Sequence, residues 1–265
     1  VSSETATTGK FNISDVETLT LSTSDANTLD FANVTGLKNL KLDGSVQTLK
    51  NYDLATTLVS TDDATSVKLT AADSTGTADT LNLKTELAQD RTNTVEAAGI
   101  ETLAITVKDT DAGQDTATYA LTKFEGTTIT ATQDSTANNN SIIALGTLHK
   151  NVTTVDTSAM KAAQSFSVAD STAGTTIKVS GGGVATVTGS AKADTITVGK
   201  TVGIKHLIAG GAGTDSLTMT VDTGFVDPSG LTAIENITLD VVAGNVDINL
   251  AGNNFDAGAT ALTLT

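Results

Sequence analysis

The sequence predicts an all-β fold: a parallel β-solenoid, or β-helix-like stack of short strands, with few short helices. Three observations carry that expectation. About one residue in five is Thr, the apolar mass comes from Val, Leu, Ile and Ala, aromatic residues are 3% and Trp is absent. Thr and Val fit a pleated, half-buried surface, and small side chains suit thin stacked layers better than a bulky core. Strand-length segments alternate with turns along the whole chain, and Gly, Asn and Asp make those turns, because there is a single Pro. Finally, short units recur that are each too small to bury an apolar face alone, which implies stacking. Tandem antiparallel β-sandwiches fit the same strand spacing and stand as the alternative.

The clearest unit is apolar-Glu-Thr/Asn-apolar-x-apolar. It appears as VETLTL (Val16 to Leu21), IETLAI (Ile100 to Ile105) and IENITL (Ile234 to Leu239), with LKNLKL (Leu37 to Leu42) as a looser relative. The last four residues of each full copy alternate apolar and polar, the pattern of a half-buried strand. The Glu-Thr pair ahead of them is expected at a corner or on the solvent face. A second element precedes two copies at a similar interval. GTADTLNL (Gly76 to Leu83) lies upstream of IETLAI, and GAGTDSLTM (Gly211 to Met219) upstream of IENITL. GSAKADTITV (Gly189 to Val198) is a third copy of that element. DST follows a short strand three times, at Asp73, Asp134 and Asp170, where Asx- and ST-turns close a corner without Pro.

Helix signals are confined to Leu83–Ile100 and Thr157–Phe166, and Pro228 falls in a turn, VDPSG. The expected organisation is one continuous repeat-built domain over 1–265, with a sub-boundary near 170–185. The opening VSSETATTGKF has neither an initiating Met nor a signal peptide, as expected of a piece of a longer protein.

A hydrophobic fraction of 38% and a mean hydropathy of +0.04 are compatible with a folded core. Thirty acidic residues face 15 basic ones, for a net charge of −15. Arg91 is the single Arg, so nucleic-acid binding is excluded. The acidic excess serves solubility and attraction of divalent cations alike. Without Cys there are neither disulfides nor thiolate metal sites. No run of 18 apolar residues exists, so no membrane span is expected. Nor is an enzyme. His149 and His206 are far apart, G-x-S-x-G, H-E-x-x-H and Walker A motifs are missing, and no helix signal follows the glycines of SGGGVATV.

Calcium is the chemistry the motifs point to. GGAGTDSLT (Gly210 to Thr218) fits the nonapeptide G-G-x-G-x-D-x-U-x. Ca²⁺ takes six to eight oxygens, many from carboxylates and backbone carbonyls. Gly211, Gly213 and Asp215 are therefore candidate ligands, with Asp194 and Asp79 in the related turns. The alternative is a tight glycine turn whose Asp caps local amides. KDTDAGQDT (Lys108 to Thr116) sets Asp109, Asp111 and Asp115 around Gly113. It begins like an EF-hand loop, but the twelfth position is Ala120, and a plain solvated acidic hairpin is the preferred reading. Asp62 and Asp63 mark a further acidic turn.

GGAGTDSLT, its partners GTADTLNL and AKADTITV, and the strands GIETLAI and AIENITL together resemble the RTX-type surface-layer (S-layer) proteins of bacteria, such as those of Caulobacter and Campylobacter. The resemblance implies an exported structural protein at the extracellular cell surface. It implies a calcium-stabilised β-solenoid that pairs with copies of itself in a two-dimensional lattice, with lipopolysaccharide contacted through a part outside this chain. It also assigns calcium to Gly211, Gly213 and Asp215. Type I-secreted RTX adhesins share these features, and a stalk or ligand-binding module of that kind is the alternative function. A flat, regular Thr face would favour it, but Thr follows no strict period along the sequence.

Overall fold

The computed structural model describes residues 8–23, 27–44, 47–61, 65–110, 113–134, 141–201, 206–222, 224–226, 230–242, 246–248 and 261–265. Every described secondary-structure element is a strand or a single turn, and every described strand pairing is parallel. The contacts divide into two compact units, Val1–Asn138 and Asn139–Thr265.

The first unit holds β1 (Thr8–Ile13), β2 (Thr18–Thr23), β3 (Asn27–Val34), β4 (Asn39–Gly44), β5 (Gln47–Tyr52), β6 (Thr57–Ser60), β7 (Thr65–Ala71), β8 (Thr80–Leu87), β9 (Arg91–Ala98), β10 (Thr102–Asp109), β11 (Thr116–Ala120) and β12 (Thr128–Gln133). Odd strands form sheet A in the order β1-β3-β5-β7-β9-β11, and even strands form sheet B in the order β2-β4-β6-β8-β10-β12. The chain changes sheet at each corner, so two strands and two corners make one coil of a β-solenoid. Parallel neighbours always need a crossover; here the crossover is the strand of the opposite sheet.

Register turns the sequence alternation into files of like residues. β8 pairs with β10 from Thr80↔Thr102 to Asp109↔Leu87, and β10 with β12 from Thr102↔Thr128 to Val107↔Gln133. Leu81, Leu103 and Ile129 thereby stack in one inward file, and Leu83, Ile105 and Ala131 in the next. All six are buried, and each large side chain so placed contributes about 1.5–3 kcal/mol of transfer free energy. Buried polar side chains between the sheets bond to one another: the Tyr119 hydroxyl donates to Thr85 Oγ1 at 2.7 Å. Most Thr residues of these strands lie outward. The interior is built mainly by Leu, Ile and Val.

The second unit holds β13 (Ile142–Thr147), β14 (Thr154–Ala159), β15 (Gln164–Ser167), β16 (Thr176–Val179), β17 (Ala185–Thr188), β18 (Thr195–Thr201), β19 (Leu207–Ala209), β20 (Ser216–Val221), β21 (Gly224–Val226), β22 (Leu231–Thr232), β23 (Asn236–Val241), β24 (Val246–Ile248) and β25 (Ala261–Leu264). Sheet A runs β13-β15-β17-β19-β22, sheet B runs β14-β16-β18-β20-β23-β25, and β21 pairs with β24. Residues 170–185 run from the turn after β15 through β16 to the start of β17, inside this unit.

Both expected helices are strands. Leu83–Ile100 is the end of β8, a turn at 88–90, and β9; Thr157–Phe166 is the end of β14, a turn, and β15. The Lys, Glu, Leu and Ala content favours helix locally. Yet the burial of β8 and β9 alternates residue by residue, because the files of the neighbouring coils demand a period of two. Tertiary stacking overrides the local propensity. Of the DST corners, Asp73 makes an Asx-turn, accepting from Thr75 N at 3.1 Å and from its hydroxyl at 2.8 Å. At Asp170 the turn is closed by Ser171 N donating to the Val168 carbonyl at 2.8 Å. The residues after Asp134, and Pro228, lie outside the described residues.

Leu103 is 0% exposed, with buried file neighbours on both sides. Leu103→Ala is expected to lower unfolding stability by about 2–5 kcal/mol. Thr106→Ala, on the outer face of the same strand, should change it by less than about 0.5 kcal/mol. Urea titration of both variants measures the contrast.

Candidate functional site

The described corners that lead from sheet A into sheet B vary from three to eight residues. Three short ones close with Gly36-Leu37-Lys38, Gly99-Ile100-Glu101 and Ala233-Ile234-Glu235. The first residue of each is left-handed, with φ of 77°, 70° and 51°, and the second is buried. The two corners Gly189 to Asp194 and Gly210 to Asp215 have six residues each. The pairings Thr195↔Ser216 and Ser216↔Asn236 place Asp194, Asp215 and Glu235 at one corner position on successive coils. Thr80↔Thr102 does the same for Asp79 and Glu101.

At this position the carboxylate of one coil accepts the backbone amide of the coil before it. Asp79 N donates to Glu101 Oε2 at 2.8 Å and Asp215 N to Glu235 Oε2 at 2.7 Å. Asp194 N donates to Asp215 Oδ1 at 2.7 Å, and Thr175 N to Asp194 Oδ1 at 2.6 Å. The recurrence of Asp-Thr/Ser followed one coil later by Glu-Thr/Asn is this bond, made twice. Asp194 is the most fully engaged: Oδ1 also accepts from the hydroxyls of Thr175 at 2.8 Å and Ser190 at 2.9 Å, and Oδ2 from Ser190 N at 2.6 Å.

The glycines of the nonapeptide answer to the same stacking. The corner at 210–215 lies directly on the one at 189–194. Gly211 and Gly213 have φ of 105° and 127°, a region L-residues rarely enter. A Cβ on Gly211 would lie 2.0 Å from the Ser190 carbonyl oxygen, and one on Gly213 2.6 Å from the Lys192 carbonyl carbon. Gly211 takes the place that Ser190 holds in the preceding corner, where Ser190 N satisfies Asp194 Oδ2. Asp215 Oδ2 has no such donor, and it is buried without a hydrogen-bond partner. A Cβ on Gly210 would meet both the Ala233 carbonyl oxygen, at 2.0 Å, and Asp215 Oδ2, at 2.6 Å, so the two oxygens crowd the space over that glycine.

Asp215 is 0% exposed. Burial pushes its carboxyl above the ordinary range; the bond from Asp194 N opposes this, and the carboxylates of Asp194 and Glu235 add to it. An anion held beside two others, with a vacant buried oxygen and a carbonyl close by, suits a hard cation. Asp79 fits likewise, since its Oδ2 is buried without a hydrogen-bond partner. Asp194 offers no open oxygen, its carboxylate being filled by protein donors. Among the described residues no three or more His, Asp or Glu side chains converge as a metal cluster.

Asp109 ends β10 and is buried, Asp115 is half-buried just ahead of β11, and Asp111, Asp62 and Asp63 lie outside the described residues. His206 is buried: Nδ1 accepts from Ala185 N at 3.2 Å, Nε2 faces Thr201 Oγ1 at 3.2 Å, and burial lowers its pKa. It holds a corner together. Glu101, Glu235, Thr175 and Ser190 are the site residues that the sequence did not single out. Their signal was the near-constant interval of one coil between corner positions. No protein family, curated protein or solved structure matches this chain.

Asp194→Ala strands four buried donors and is expected to cost about 3 kcal/mol or more, read from urea unfolding. Asp215 behaves oppositely. Its folded pKa is raised, so its contribution is full below the ordinary value of 3.8 and is lost as pH rises through the folded pKa. In chelator at pH 7, Asp215→Asn should therefore be more stable than the parent, and the difference should close as pH falls towards 4. A parent that equals the variant at every pH would contradict this electrostatic picture.

Proposed function

We propose that this chain is a structural segment of a bacterial surface layer, secreted and assembled with copies of itself into a calcium-stabilised two-dimensional lattice at the cell surface. The observation that carries the reading is the Asp215 corner, where the nonapeptide glycines pack against the coil below and leave one buried carboxylate oxygen open. Asp215 Oδ2 would hold the ion, with backbone carbonyls around Gly210 and Ala233 nearest to it; Asp79 Oδ2 would serve in the first unit. Calcium there supplies countercharge to buried carboxylates that otherwise repel. A solenoid of stacked coils transmits such local stiffening along its length, because each coil contacts mainly its neighbours. Folding and assembly would then follow external calcium. Lipopolysaccharide would be met by another part of the protein. The same stack suits a stalk or ligand-binding module of a type I-secreted RTX adhesin, and the outward Thr files of sheet B favour that second reading.

Metal-free protein should gain about 2.7 kcal/mol of stability per site when calcium is ~100-fold above its dissociation constant. Asp215→Asn should lose the increment due to that corner, and Asp194→Asn should keep it. Thermal melts with calcium and with excess chelator measure this, and electron microscopy of the full-length protein distinguishes sheets from rods. A melting curve indifferent to calcium would remove the metal from the proposal.

A further inference from the structure

We infer that the outward face of sheet B in the second unit binds ice. Thr is irregularly spaced along the sequence because corner positions are separated by 19, 21 and 20 residues on successive coils. The parallel register removes that irregularity. Thr197, Thr218, Thr238 and Thr263 are direct partners on β18, β20, β23 and β25. Two residues earlier on the strands, Thr176, Thr195 and Ser216 form a second file, which Asn236 continues. All of these positions are exposed or half-buried. From β18 to β25 neither file contains a charged residue; charges flank the files, where Lys178 pairs with Asp156 at 3.7 Å on β16 and β14, Lys200 near the end of β18 pairs with Asp222 at 2.7 Å, and Asp240 lies two residues past Thr238. In a chain of net charge −15, the two files are a neutral strip between charged margins.

What it offers is periodicity. Neighbouring strands repeat every ~4.8 Å. Water oxygens joined by tetrahedral hydrogen bonds of ~2.75 Å have second neighbours ~4.5 Å apart, so hydroxyls in a file match an ice surface to within ~0.3 Å per strand. Thr is stiff at χ1, and the strands beneath are locked by their ladders. The hydroxyls are thus ordered before contact, which lowers the entropic cost of ordering them on a lattice. A partner with an irregular surface would gain nothing from identical groups at identical spacing; a crystal does. The methyl groups beside the hydroxyls add apolar contact between the files.

The test is thermal hysteresis and ice-recrystallisation inhibition with the whole chain, for the parent, Thr218→Lys with Thr238→Lys, and Thr186→Lys on the exposed outer face of sheet A. Circular dichroism checks that each variant is folded. The parent and Thr186→Lys should show hysteresis and inhibit recrystallisation, and the Thr218/Thr238 variant should lose both. Absence of both activities in the parent would overturn the inference, as would equal loss in the sheet A variant. If the Thr218/Thr238 change instead lowers the sedimenting mass of the parent and leaves ice growth untouched, the face serves a second copy and the inference also falls. None of these readouts depends on calcium or on lattice formation, so they are independent of the surface-layer proposal.

Discussion

Each coil of this molecule must satisfy the backbone of the coil before it, and the corners are where that is hardest. Along the strands the parallel ladders pair amides and carbonyls without help from side chains. At a corner the chain turns out of the ladder, and a buried amide left there would cost about 1–3 kcal/mol. The solution is a carboxylate contributed by the next coil. Glu101 serves Asp79, Glu235 serves Asp215, Asp215 serves Asp194, and Asp194 serves Thr175. The register of the sheets depends on these caps as much as on the Leu and Ile files, since a slip of one residue would reverse every inward side chain and detach every cap.

The same device explains why the acidic residues are not all equivalent. Most lie on the surface, where pairs such as Lys68 with Glu96 at 2.7 Å contribute little. Asp194 is buried but saturated by four donors. Asp215 is buried and incompletely bonded, because glycine stands where the preceding coil has Ser190. The close stacking that excludes a Cβ at Gly211 and Gly213 thereby creates the electrostatic tension at Asp215 that a proton or an uncharged side chain would relieve. Packing and charge are one problem at this corner.

Much of the fold was legible in the sequence. Short alternating strands, Gly and Asp turns and the recurrence of the Glu-Thr strand unit imply stacking, because a strand of six residues with one apolar face cannot be stable alone. The corner site was half legible. Asp79, Asp194 and Asp215 stood out by their motif. Glu101 and Glu235 stood out only as part of the strand unit and not as their partners, because a bond between residues 20 or 22 positions apart has no local signature. The two segments read as helices failed for the complementary reason: Leu83–Ile100 has good local helix formers, and nothing within the segment states that Leu81, Leu83 and Leu87 must continue files begun on other coils.

Composition and alternation by themselves determined that the chain is β-rich, Thr-decorated, acidic and built of repeats, because those properties follow from side-chain volume, branching and charge. Only the tertiary structure decided which residues meet. Coils of unequal length hide the Thr files and the carboxylate ladder from any fixed period in the sequence. The parallel register reveals both, because hydrogen bonding between strands aligns coils by their strands and lets the corners absorb the difference in length.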